Sequence, residues 1–113
     1  MKSKILALSK NEEFKKLLKK KKISNKYVNI FYGILEKKDI NKLNISFVTK
    51  KKIGNAVKRN KIKRRLKNIM NEATKKISLK FSYSYLVIAK PTMLNNDYTN
   101  IKETLFREFI EIK

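Results

Sequence analysis

The sequence predicts a small α+β protein with the element order α-β-β-(β)-α-β-α. Three observations lead there. Residues 27–35 and 43–50 alternate side chains at the strand period, residues 55–77 repeat apolar side chains at the helical period, and no linker interrupts the chain. With 113 residues, two Gly and one Pro, the chain matches one domain of ~100–150 residues. Residues 1–113 are therefore read as a single domain, with 1–10 expected to be flexible.

The first helix is expected at Asn11, which can cap it. Glu12 and Glu13 occupy the first turn, where the helix dipole favours acids. Phe14, Leu17 and Leu18 share one face, and the helix should run to about Lys20. Lys19–Lys22 reads as a charged connector, with a short extra strand possible near Ile23 and Ser24. Tyr27–Leu35 is rich in aromatic and β-branched residues and predicts a strand. Its two faces carry Asn29 and Phe31 on one side and Val28, Ile30 and Tyr32 on the other. The polar stretch Glu36–Lys42 then leads to a strand at Leu43–Lys50, and an antiparallel hairpin of the two is expected.

From Asn55 to about Ile77, the residues Ile62, Leu66, Ile69, Met70, Ala73 and Ile77 form one helical stripe. At ~100° per residue, Asn60, Lys63, Arg64, Lys67 and Asn71 fall on the opposite arc. Arg59 sits nearer the apolar edge. Arg65 also lies off the polar stripe, as a solvated flank or a contact. Ser82–Ala89 predicts the last strand, ended by Pro91. A final helix begins near Asp97, capped by Asn96 or Asp97, with Tyr98, Ile101, Leu105, Phe106, Phe109 and Ile110 facing the core.

Charge narrows the function. Thirty Lys and Arg stand against nine Asp and Glu, a formal net charge of +21. Such a chain repels itself, and a polyanion neutralises it. Residues 1–90 hold 27 basic and five acidic residues, whereas 91–113 are nearly neutral. Lys50–Lys67 has ten cations and no acid. Twenty-six of the cations are Lys, beside 14 Ile and 12 Asn, a bias that AT-rich coding would produce without selection on function. Arg59, Arg64 and Arg65 are three of only four Arg, and Arg offers a planar fork for phosphate that Lys lacks.

The chain has neither Cys nor His, which removes disulfides, zinc fingers and thiol or imidazole catalysis. No apolar run approaches ~18 residues, so no membrane span is expected. Residues 5–8 are too few for a signal segment, and the cytosol is the expected compartment.

The stretch Lys51-Lys52-Ile53-Gly54-Asn55-Ala56-Val57-Lys58-Arg59-Asn60-Lys61-Ile62-Lys63-Arg64 joins a strand end, a glycine and a basic helix start. Gly54 can adopt a positive φ or let backbone approach a phosphate; a plain turn is the alternative. This stretch, with its Arg59-Asn60…Lys63-Arg64 core, resembles the signature of the bacterial ribonuclease P protein subunit. The likeness extends from about Asn11 to Phe109 through Phe14, the aromatic strand, the basic helix and the YLVIAKP segment at Tyr85–Pro91.

The resemblance implies a small two-layer α/β sandwich that joins a catalytic RNA to remove 5′ leaders from precursor tRNA. Its partners would be ribonuclease P RNA and precursor tRNA, with no obligate protein partner and no membrane. The implied RNA-subunit contacts are Lys51, Lys52, Gly54, Asn55, Arg59, Asn60, Lys63, Arg64 and Lys67. The implied leader contacts are Phe14, Leu18 and Tyr32, with core packing the alternative for Phe14. A left-handed crossover through the basic helix is also implied, against the usual right-handed rule. The sequence departs from the family pattern at Lys67, where an Arg is usual, and at Leu18, where an aromatic is common. Lys21 and Ser46 stand where Gly is common.

The acids are scattered, and none lies in the basic segment to hold a metal or act as a base. The resemblance implies that catalysis belongs to the RNA, with Mg²⁺ held mainly by it. A ribosomal or other structural RNA-binding protein is the competing reading. A membrane-active peptide is disfavoured by the mixed elements, and a helix-turn-helix by the strands flanking the basic helix.

Overall fold

The structure, a computed structural model, describes residues 5–8, 11–35 and 41–112. Parts of the segment expected to be flexible (1–4 and 9–10), most of the polar link (36–40), Lys113 and the expected capping side chain of Asn11 lie outside them. The elements run β1 (Ile5–Leu6), α1 (Asn11–Leu18), β2 (Lys21–Ser24), β3 (Val28–Gly33), β4 (Leu43–Val48), α2 (Ala56–Lys76), β5 (Ser84–Ala89) and α3 (Tyr98–Glu111). Short 3-10 turns at Lys51–Ile53 and Pro91–Asn95 precede α2 and α3. The α+β expectation is met, including the extra strand at Ile23 and Ser24, which takes in half of the supposed Lys19–Lys22 connector. The two-residue β1 is an element that the sequence reading did not include.

The strands form one sheet in the order β1-β4-β5-β3-β2. Here the expected hairpin fails: β3 and β4 are not neighbours, because β5 lies between them, antiparallel to β3 and parallel to β4. The cause is burial. The sequence SYLVIA of β5 is buried at five of its six positions, on both faces, whereas β3 alternates buried and half-buried residues. A strand apolar on both sides is most stable at the centre of a covered sheet. The β4-α2-β5 unit is the resulting parallel crossover.

Most of the core lies on the face covered by α2 and α3. Ile30, Ile45, Tyr85 and Val87 from the sheet meet Ile62, Leu66, Ile69 and Met70 of α2 and Ile101, Leu105 and Phe109 of α3. The expected α2 stripe is thus the buried face, except that Ile77 is the C-cap and only partly buried. The other sheet face carries a smaller cluster of Leu8, Leu17, Leu35 and Leu86, against which Phe14 and Phe31 pack. The sandwich is therefore α2 and α3 on the sheet, with α1 covering part of the second face.

Side-chain bonds fix the connections. Asn25 Oδ1 accepts from the N–H groups of Tyr27 (2.8 Å) and Val28 (3.0 Å), an Asx turn that reverses the chain between β2 and β3. Glu72 of α2 pairs with Lys102 of α3 at 3.3 Å. Asp97 is the N-cap of α3 but makes no side-chain capping bond, contrary to expectation. Asn96 donates instead to the Thr92 carbonyl at 2.6 Å, bracing the turn before the helix.

Tyr85 sits among Tyr32, Tyr83 and Phe109, its ring 5.3 Å from that of Phe109. Its hydroxyl donates to the Lys80 carbonyl at 2.8 Å. Burial, then the neighbouring Tyr83, pushes its pKa well above the ordinary 10.0. The native state therefore keeps this proton at pH values where the unfolded chain releases it, so stability falls as pH rises above about 10. Tyr85→Phe should cost ~1 kcal/mol at neutral pH from the lost hydrogen bond. Urea melts should also show a shallower decline for the variant between pH 9 and 11 than for the parent.

Candidate nucleic-acid interface

The junction before α2 is built from its one buried residue, Ile53, outward. Ile53 is inserted in the main core, 5% exposed, and leaves Lys51 and Lys52 of the same tight turn in solvent. Gly54 follows with φ 147°, a conformation that L side chains rarely adopt. A Cβ there would also lie 2.8 Å from Lys58 Cδ. Asn55 is the N-cap of α2, its Oδ1 accepting from Lys58 N–H at 3.0 Å. Turn, glycine and cap together aim the start of α2 out of the sheet end.

Along α2 the split between faces is sharp. Ile62, Leu66, Ile69, Met70 and Ala73 are buried, while Asn60, Lys63, Arg64 and Lys67 are exposed. The first turn holds no acid. Arg59 is half-buried, and its Nε is covered without a hydrogen-bond partner, in keeping with its place at the apolar edge. Arg65 is not a solvated flank. It is half-buried, and its Nη1 donates to the Met93 carbonyl at 3.5 Å, joining α2 to the Pro91–Asn95 turn.

Several concavities surround this helix and the sheet. One, of about 500 Å³, lies at the edge of β4 and is lined by Ile5, Phe14, Phe47 and three cations of α2, Lys63, Arg64 and Lys67. A second, about 380 Å³, gathers Asn29, Lys50, Lys52, Lys90 and Thr92 at the end of the sheet beside Gly54. Lys90 had not been singled out by sequence. Its Nζ donates to Ser24 Oγ at 3.0 Å and to the Asn25 carbonyl, which hold it at the rim. Its only sequence signal is its place directly before the sole Pro.

The third concavity, about 440 Å³, joins Lys19, Lys20 and Lys21 with Tyr32, Ile34 and Tyr83. The residues expected to contact a leader are therefore not gathered in one cavity. Phe14 packs on the α1 face and lines the β4-edge cleft, and so serves core and cleft together. Leu18, 48% exposed, ends α1 beside Lys19. Tyr32 belongs to the α2–α3 face and is 9% exposed, its ring 5.5 Å from that of Tyr83.

An exposed row of cations and amides on a helix braced by a β-sheet, with no acid in that row, defines the class of protein whose surface suits the phosphates of a polyanionic strand. The comparisons make this specific. The ribonuclease P family model matches residues 3–113. The ribonuclease P protein component of Carboxydothermus hydrogenoformans is 35% identical over 102 residues, covering 87% of this chain and 83% of that protein. The one from Mycoplasma mycoides is 30% identical over 106 residues, covering 94% of each. Among solved structures, the ribonuclease P protein of Thermotoga maritima superposes with a TM-score of 0.79 at 21% identity, covering 96% of this chain and 98% of that one. The Staphylococcus aureus protein gives 0.76 at 23%, covering 93% and 92%. The chain belongs to the ribonuclease P protein family, and its function is that of the enzyme's accessory protein component.

The junction before α2 yields a direct test of the local argument. Asn55→Ala should lower stability by ~1 kcal/mol through the lost cap. Gly54→Ala should lower it further, because strain at positive φ adds to the clash with Lys58. Thermal melts followed by circular dichroism measure both.

Proposed function

We propose that this chain docks on ribonuclease P RNA through Lys51, Lys52, Gly54, Asn55, Arg59, Asn60, Lys63, Arg64 and Lys67, and helps that RNA remove the 5′ leader of precursor tRNA. The observation that carries the reading is the exposed row Asn60, Lys63, Arg64 and Lys67, held rigidly by the buried stripe behind it. Lys and Arg on one rigid face neutralise phosphates without rearrangement, and Arg64 adds a bidentate fork. Asn60 contributes donors and an acceptor for ribose or base edges. The family match supports this over a structural RNA-binding protein with no role in cleavage.

The leader of precursor tRNA is proposed to run along the protein by way of Phe14, Leu18 and Tyr32. Single strands suit such residues, since bases stack on rings while nearby lysines follow the backbone. Lys19, Lys20 and Lys21 beside Tyr32 supply those cations. Magnesium is proposed to reside on the RNA. Among the described residues no group of three or more His, Cys, Asp or Glu side chains could hold a metal, so no residue of the chain is assigned to the ion. Among the same residues no helix is long and apolar enough to cross a membrane, and the proposed compartment is the cytosol.

Reconstitution tests the reading: added to ribonuclease P RNA at low Mg²⁺, the protein should stimulate cleavage of precursor tRNA, and the absence of stimulation would refute it. Arg64→Ala should weaken binding to that RNA by ~1–3 kcal/mol. It should also reduce the slope of log affinity against log salt by about one. Filter binding across a salt series reads both quantities.

Phe14→Ala should reduce the preference for precursor over mature tRNA while the circular dichroism spectrum stays native. An unfolded variant would assign Phe14 to the core alone.

A further inference from the structure

The turn between β2 and β3 is fastened without the Lys90 side chain, and yet that side chain is fixed to it. Asn25 Oδ1 closes the turn on the N–H groups of Tyr27 and Val28, and Asn25 N–H donates to the Val28 carbonyl at 3.0 Å. The backbone N–H of Lys90 donates to the Tyr27 carbonyl at 2.8 Å, which already joins the turn to the end of β5. Thr92 Oγ1 adds a bond to the Lys26 carbonyl. The Lys90 ammonium is superfluous to this fastening. Its Nζ nevertheless donates to Ser24 Oγ at 3.0 Å and to the Asn25 carbonyl.

A second bond sets the direction of the Ser24 hydroxyl. Ser24 and Asn29 stand directly opposite in β2 and β3, and Ser24 Oγ donates to Asn29 Oδ1 at 2.6 Å. A hydroxyl has one proton and two lone pairs, so with its proton on Asn29 it meets Lys90 as an acceptor. Both acceptors of the ammonium are neutral. The cation therefore keeps its whole charge, which a carboxylate partner would have cancelled, and the third of its N–H donors is not taken up by the turn.

Asn29 and Lys90 line the concavity of about 380 Å³ at the end of the sheet, and the charged residues that line it, Lys50, Lys52 and Lys90, are all cations. Like charges gathered in one hollow repel until an anion enters. A lysine loose in solvent loses rotamer freedom when it meets that anion, whereas one held in advance has little left to lose.

We infer that Asn29 and Ser24 are positioning residues, which hold the Lys90 ammonium ready for one backbone phosphate of the bound RNA. The inference rests on the docking reading above, which includes Lys52, and adds Lys90 as a phosphate contact with two neutral side chains behind it. A phosphate of the RNA subunit and one of precursor tRNA offer the same chemistry, and the measurements below separate them.

The first measurement needs no RNA. In NMR relaxation of the lysine ammonium groups, Lys90 should be more ordered than Lys52 in the parent chain and equally mobile in Ser24→Ala, with order restored in Ser24→Thr. No change in Lys90 between parent and Ser24→Ala would overturn the inference. The second measurement is affinity, for ribonuclease P RNA alone and, in the reconstituted enzyme, for precursor tRNA, with variants that keep a native circular dichroism spectrum. Ser24→Ala should weaken one of these by about threefold to tenfold at an unchanged salt slope, because no charge is removed. Lys90→Met should weaken the same step and lower the slope by about one. In the Lys90→Met background Ser24→Ala should cost nothing more, whereas additive losses would make Ser24 a structural residue only and overturn the inference. A loss with the RNA subunit alone assigns the phosphate to that RNA, a loss confined to precursor binding assigns it to the tRNA, and no loss in either overturns the inference. Failure of the parent chain in reconstitution would reject the docking reading, and the same variants on a single-stranded oligouridylate would still decide the role of Ser24.

Discussion

Everything the protein presents to RNA depends on the packing of one helix stripe against one sheet face. Ile62, Leu66, Ile69, Met70 and Ala73 are almost completely buried, and they hold α2 against the like-charge repulsion of its own outer face. Buried apolar contacts are not screened by salt as ion pairs are, and a polyanion does not compete for them, so they hold the helix without drawing on its charges. The cations then need little reorganisation to meet phosphate. Fixing α2 by ion pairs would have achieved the reverse, since RNA competes for the same charges. Among the described residues, Glu72 of this helix pairs with Lys76 and Lys102, away from the docking row.

The junction at residues 51–55 extends the same logic to a loop. Ile53 is the anchor, Gly54 the bend and Asn55 the cap, and each performs one task that its neighbours cannot. Lys51 and Lys52 are displayed by the burial of Ile53, not by a partner of their own. Arg65, bonded to the Met93 carbonyl, links the helix to the turn that follows Lys90 and carries Thr92. Two of the basic concavities are thereby tied to a single rigid element.

Much of this was legible in the residues. The period of Ile62 to Ala73 determines which arc of α2 is buried, and Asn55, Gly54 and the Arg59–Arg64 core mark its start. The position of β5 was not legible by local pattern, because strand pairing depends on competition among all strands for the doubly covered centre. A polar link after β3 reads as a hairpin, whereas here it carries the chain past the place that SYLVIA takes. Arg65 was ambiguous because its partner is a backbone carbonyl 28 residues away, and a carbonyl leaves no signature in sequence. Phe47 reads in sequence as an ordinary strand residue, and its place beside an open edge follows from the short length of β1. Phe14, Leu18 and Tyr32 were grouped by family likeness, and the fold distributes them over two faces and a helix end.

That short β1 also bears on how two copies of the molecule would meet. A strand edge left without a neighbour is a template for another copy's strand and the usual starting point of edge-to-edge aggregation. Lys63, Arg64 and Lys67 stand beside the uncovered part of β4, and Lys21 and Lys22 are exposed on β2 at the opposite end of the sheet. A second copy brings the same cations to the same edges, and approach is repulsive from either side. The charge that attracts a nucleic acid thus also acts as a guard against self-association. Salt, which weakens the first action, weakens the second with it.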